Sequence, residues 1–188
     1  ATTEIYTLSL HDALPISPQR VTREKGLRLF LKNDLRSGKV NPVRLESDQD
    51  IATLLNSVQR IAVLGVSANI DRPSHRVFRF LLTAGYDVIP VNPLLTGQEL
   101  LGRPVFESLA QLPGTVDMVD VFRDSRFLPD ITTEVISLQI PALWTQLGVT
   151  HADAETTASE AGVRLVVDRC PAIEIPRLQQ LGLMQPST

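Results

Sequence analysis

The chain has 188 residues, 43% of them hydrophobic and 21% charged, with a net charge of −3. That length holds one ordinary domain with its own core, and the acidic balance argues against a nucleic-acid binder that works by broad charge neutralisation. The single cysteine, Cys170, excludes an internal disulfide and suits a reducing cytoplasm, while no apolar run approaches the roughly 20 residues of a membrane span.

Residues 1–16 resemble, along their whole length, the translation of a short-read sequencing adapter in one reading frame. They are expected to be an assembly artefact outside the fold; they carry Glu4 and lack the basic start of a signal peptide. Residues 17–45 are basic, from Arg20 to Lys39, and Leu27, Leu29, Phe30, Leu31 and Leu35 are only loosely helical in spacing. This stretch is expected to be a non-native or poorly ordered extension, the alternative being an interaction arm. The domain proper is expected over residues 46–183, with a tail at 184–188.

Ser47-Asp-Gln-Asp50 supplies capping residues before Ile51, Leu54, Leu55 and Val58, a stripe of helical period. The β-branched run 61–66 then predicts a buried parallel strand. A helix is expected over 73–84, with Pro73 at its start, Val77, Phe78, Leu81 and Leu82 on one face, and Gly85 at its stop. A second strand follows over 86–91, closed by Asn92-Pro93. The pattern continues with a short helix over 106–112, a strand over 116–122, a helix over 129–138 and a strand over 142–146. A helix over 151–161, stopped by Gly162, and a strand over 163–167 complete it. Alternation of this kind predicts the α/β class, as a single doubly wound, mainly parallel sheet with helices on both faces.

In such sheets ligands bind beyond the C-terminal strand ends. Five strand ends here are polar or carry glycine: Gly65-Val66-Ser67-Ala68, Asn92-Pro93, Phe122-Arg123-Asp124, Gln146-Leu147-Gly148 and Asp168-Arg169-Cys170-Pro171. The first leads through Arg72 and Pro73 to Ser74, the layout of a strand, a phosphate loop and a helix N-terminus. It breaks the dinucleotide fingerprint, because Ser67 and Ile70 stand where glycines are usual. Arg72 can grip phosphate oxygens with its planar fork, and a hydroxyl such as that of Ser74 can bond a phosphate or cap the helix. Where NAD-binding folds place an acid to hold ribose hydroxyls, this chain has Asn92, which repels no phosphorylated ribose. Pro93 offers a flat apolar surface for an adenine, although Asn-Pro is equally a plain turn. Cys170 is the one candidate nucleophile, with no second cysteine or neighbouring histidine to activate it, and a buried inert thiol is the alternative. His75 and His151 lack the spaced partners of a metal site. Asp168 and Glu174 are placed to hold the C-terminal turn through Arg169 or Arg177.

Together these segments resemble the free-standing CoA-binding domain family, which is similar to the N-terminal CoA-binding domain of the succinyl-CoA synthetase α subunit. The carrying residues are 62–67 with 72–74, 85–93, 116–123, 143–148, and 168–171 with Glu174. The resemblance implies a Rossmann-like sheet with coenzyme A or an acyl-CoA at its C-terminal rim. Gly65, Val66, Ser67 and Ala68 would cradle the pyrophosphate, helped by Arg72 and Ser74. Asn92 and Pro93 would meet the adenosine, Phe122 and Arg123 would line the pantetheine path, and Gln146 and Gly148 would border its far side. The chain is too short for the ligase and ATP-grasp parts of that synthetase, so catalysis does not carry over with the resemblance, and no catalytic residue and no metal ligand is assigned. A non-catalytic carrier, sensor or regulatory module in the cytoplasm is therefore expected, with a small-molecule ligand and neither a nucleic-acid nor a membrane partner. An NAD(P)-binding redox sensor on the same fold, or a thiol enzyme using Cys170, are the alternatives.

Overall fold

The computed structural model describes residues 44–185. The chain divides into two units, 1–41 and 42–188, and the fold described is that of the second. The expectations for residues 1–43 and for the last three residues lie outside the described residues.

Helix α1 (Asp48–Ser57) starts at Ser47, whose hydroxyl accepts the Asp50 N–H, and Asp48 and Asp50 place negative charge at the positive end of the helix. It leads into β1 (Arg60–Leu64), α2 (Pro73–Thr83) and β2 (Asp87–Val91). A two-residue hairpin, β3 (Glu99–Leu100) with β4 (Arg103–Pro104), follows, and then β5 (Met118–Val121). Helix α3 (Leu128–Ser137), β6 (Ala142–Thr145), α4 (Ala152–Glu160), β7 (Arg164–Val166) and α5 (Pro171–Gln180) complete the order.

The five long strands form one parallel sheet in the order β2-β1-β5-β6-β7. Because every connection is a crossover, all five C-terminal ends lie on one rim. Pro90 is tolerated in β2 because that strand is an edge. The Pro90 carbonyl points outward and accepts the Phe106 N–H, so its missing N–H removes no bond to β1. Both faces of the sheet are covered, which accounts for strands that are apolar at nearly every position. Ile51, Leu55, Phe78, Leu81, Trp144 and Leu178 pack on one face beneath α1, α2 and α5. Leu128, Val135, Val119, Leu143, Ala158 and Leu165 pack on the other beneath α3 and α4.

Three features differ from the sequence reading. The helix expected over 106–112 is a single 3-10 turn, Leu109–Gln111, since only Leu109 in it reaches the core. The β3–β4 hairpin has strands too short to show a period. Helix α5 was masked by its two prolines: Pro171 occupies the first turn, where no N–H is needed, and Pro176 lies inside the helix. Ile175 and Leu178 nonetheless bury one face of it. Among the described residues no helix is long and apolar enough to cross a membrane.

Candidate functional site

Strand order reverses between β1 and β5, so the chain leaves these two neighbouring ends in opposite directions and opens a crevice. Gly65 occupies the bottom of it. Its N–H donates to Val91 O at 2.8 Å, and the Phe122 N–H donates to Leu64 O at 2.8 Å, so three strand ends are tied around it. Its φ is +89°, and a methyl group there would fall 2.5 Å from Phe122 O and 3.0 Å from Arg123 Cδ. Only glycine fits that backbone and that approach.

Beyond Gly65 the loop is held by its own polar groups. Ser74 Oγ accepts the Ser67 N–H at 3.1 Å, and Ser67 Oγ accepts the Asn69 N–H at 3.2 Å. The ring of His75, in the first turn of α2, lies with Nδ1 3.0 Å from Ser67 O, so Nδ1 carries a proton and donates to it. Across the crevice, Asn92 Nδ2 donates to Val66 O at 2.7 Å while its Oδ1 accepts the Leu94 N–H at 3.0 Å. The Asn92 amide thus clamps the loop to the turn after β2. These bonds leave the Ala68 and Ser74 N–H groups without a partner among the described residues, and both belong to the segment that runs into the N-terminus of α2.

The result is a cavity of about 450 Å³. Of the residues expected at the site, it brings together Gly65, Val66, Ser67, Ala68, Arg72, Ser74, Asn92 and Phe122. Asn69, Pro73, Leu94 and Leu95 also line it, and sequence reasoning had not placed them there. Leu94 is 85% exposed and forms a bare apolar lip. Its signal was the 3-10 turn Pro93–Leu95, which lifts it away from the core. Arg72 is exposed and has no ion pair among the described residues, which leaves its guanidinium available to an anion.

The other four expected residues lie apart from the cavity lining. Pro93 opens the exposed turn behind Leu94. The Arg123 guanidinium stacks on the Phe127 ring, 4.8 Å from its centre, with Arg126 at 4.9 Å from the same centre. Gln146 is buried, and its Nε2 donates to Asp120 Oδ1 at 2.7 Å. The Gly148 N–H donates to Asp168 Oδ1 at 2.6 Å. Asp168 is therefore engaged with the β6 end, while Glu174 joins Arg169 at 3.1 Å and Arg177 at 2.6 Å, and Asp48 also pairs with Arg177 at 2.6 Å.

Asp120 is a buried charge that sequence reasoning passed over, although a carboxylate in the apolar run Met118-Val-Asp-Val121 was a visible signal. It is fully buried, and burial pushes its pKa up to about 7 against the opposing effect of the Gln146 hydrogen bond. Its second oxygen has no partner among the described residues. Burial likewise pushes the Cys170 thiol up; N–H groups of Ala172 and Ile173 counter that, and the charges of Asp120 and Glu174 add to it. Cys170 therefore rests as a thiol. Among the described residues no three histidine, cysteine, aspartate or glutamate side chains gather as a metal site.

A loop with free N–H groups, a helix N-terminus and an arginine without an ion pair among the described residues form a donor set suited to an anion. Residues 59–176 match the CoA binding domain. The chain belongs to the CoA-binding domain family. Among the relatives is an uncharacterized protein of Bacillus subtilis, YneT, 37% identical over 124 residues that cover 66% of this chain and 90% of the relative. A solved Thermus thermophilus protein, cell-free ID.343, is 41% identical with a TM-score of 0.68, over 71% of this chain and 99% of that one. A hypothetical protein from Pyrococcus horikoshii is 31% identical with a TM-score of 0.69, over 75% and 98%. The match covers nearly the whole of each of these relatives, and the two solved structures share this chain's Rossmann-like α/β fold.

Proposed function

We propose that this CoA-binding domain holds coenzyme A or an acyl-CoA along the C-terminal rim of its sheet, as a cytoplasmic carrier, sensor or regulatory module without catalytic turnover. The observation that carries the reading is the crevice at Gly65, where free amides, the start of α2 and Arg72 converge on a cavity of about 450 Å³. That donor set suits a pyrophosphate. Asn92, its amide engaged with Val66 O and the Leu94 N–H, puts no negative charge at the β2 end where an NAD site presents an acid, which suits a 3′-phosphorylated adenosine. The adenosine then lies toward β2, against Leu94 and Pro93. The pantetheine arm runs the other way, past Phe122 and Arg123 at the β5 end toward Gln146 and Gly148 at the β6 end.

Isothermal titration of the full chain with coenzyme A, acetyl-CoA, NAD and NADP tests this. Saturable binding of the two CoA species, with far weaker binding of the dinucleotides, is the expected result. No CoA binding at millimolar ligand, in a sample shown to be folded, would end the reading.

A further inference from the structure

We propose that His75 is a positioning residue for the ligand, holding one loop peptide so that the Ala68 N–H faces the diphosphate. The inference rests on the rim reading above and names what gives the crevice its polarity.

A trans peptide unit is planar, and its C=O and N–H point in opposite directions. Whatever binds the carbonyl on one side therefore turns the amide to the other. The loop obeys this at the unit between Val66 and Ser67. Asn92 Nδ2 donates to Val66 O at 2.7 Å, and the Ser67 N–H donates the opposite way, to Ser74 Oγ at 3.1 Å. That unit is closed at both ends and offers nothing to a ligand. The next one is closed at one end only. His75 Nδ1 donates to Ser67 O at 3.0 Å, whereas the Ala68 N–H has no partner among the described residues.

The two ends of this second unit lie in different surroundings. Ser67 and Ala68 both line the cavity. His75 does not; it is 5% exposed, in the first turn of α2, so its ring stands behind the loop. With the carbonyl drawn back to the ring, the amide is turned forward to the cavity side. Turned over, the same unit would set its carbonyl oxygen there, and the negative end of the peptide dipole would repel a phosphate.

The choice of residue supports a positioning role. His75 shares the buried face of α2 with Val77, Phe78 and Leu81, a place where an apolar side chain would pack and leave Ser67 O unheld. A polar ring in such a place is costly unless it is hydrogen-bonded. The bond to Ser67 O is the one hydrogen bond this ring makes among the described residues, and it fixes the loop.

Nuclear magnetic resonance and calorimetry on the full chain test the proposal. In the isotope-labelled native protein, coenzyme A should move the Ala68 amide proton downfield, as a new charge-assisted hydrogen bond does. His75→Phe keeps a ring and removes the donor; it should weaken coenzyme A about tenfold and leave the Ala68 amide unmoved by ligand. His75→Asn places its Nδ2 as many bonds from the backbone as the lost Nδ1, and should recover both the affinity and the shift. A ring that merely packs predicts the reverse order, with the phenylalanine variant near native and the asparagine variant worse. That order, or equal affinities for the two variants, overturns the proposal. So does an Ala68 amide that stays in place in the native chain while calorimetry records saturable binding, a result that leaves the rim reading standing and needs no variant to fold. No binding of coenzyme A by the native chain removes the two together.

Discussion

Gly65 carries more constraint than any other glycine in the domain, because a Cβ there would meet backbone rather than a movable side chain. Gly65→Ala adds a left-handed backbone penalty to a 2.5 Å contact with Phe122 O. It should lower stability by at least about 2 kcal/mol and prise the β5 end from the loop; urea unfolding checks the first effect and CoA titration the second. Asp120 makes the opposite kind of prediction. Its folded pKa is raised from 3.8 to about 7 by burial, so the folded state binds the proton more tightly than the unfolded one. Below pH 3.8 both states are protonated and the carboxyl carries no penalty. Between there and about pH 7 the unfolded carboxyl ionises first and stability falls as pH rises; above that the penalty stays at its full value. A shift of this size corresponds to roughly 4 kcal/mol at about 1.4 kcal/mol per unit. Asp120→Asn should therefore gain stability relative to the native chain as pH climbs from 4 to 8, and lose that gain on return to pH 4. A difference in unfolding free energy that stays flat across this range would remove the assignment.

At the scale of elements, the β3–β4 hairpin holds the least suitable turn residue. Leu101 and Gly102 both have positive φ, +50° and +75°, as a tight two-residue hairpin requires, yet only Gly102 adopts such a backbone without strain. Leu101 is 49% exposed, so its side chain returns little packing. Leu101→Asn should raise stability by about 0.5–1 kcal/mol, read as a higher urea midpoint with an unchanged slope. This hairpin also shows why some elements were illegible in the sequence. Two-residue strands have no period, and a leucine at a left-handed position hides the turn. Helix α5 was obscured for another reason: its prolines read as breakers, and only tertiary packing of Ile175 and Leu178 selects the helix. The five long strands and helices α1 to α4 were legible because each buries a continuous stripe or run, and burial is what periodicity records.

For the molecule as a whole, the parallel order β2-β1-β5-β6-β7 turns one rim into a line along which an extended ligand has two distinguishable ends. The sequence revealed the polar strand ends but not their spacing, because strand order is a tertiary property. It could not show that the Asn92 amide is spent clamping Val66 O, nor that Gln146 faces inward to Asp120. A test of the ends follows from this geometry. In Asn92→Asp the Nδ2 donor to Val66 O is replaced by an acceptor, and a new negative charge stands at the β2 end. If the adenosine 3′-phosphate lies there, two like charges some 6 Å apart in a partly screened site cost roughly 1.4 kcal/mol, about tenfold in affinity. Loosening the clamp weakens every ligand that uses the loop, so the informative quantity is a ratio. Coenzyme A should lose about tenfold more affinity than 3′-dephospho-CoA, because only the former carries the extra phosphate. An equal loss for both would move the adenosine away from β2, and with it reverse the direction in which the pantetheine arm runs.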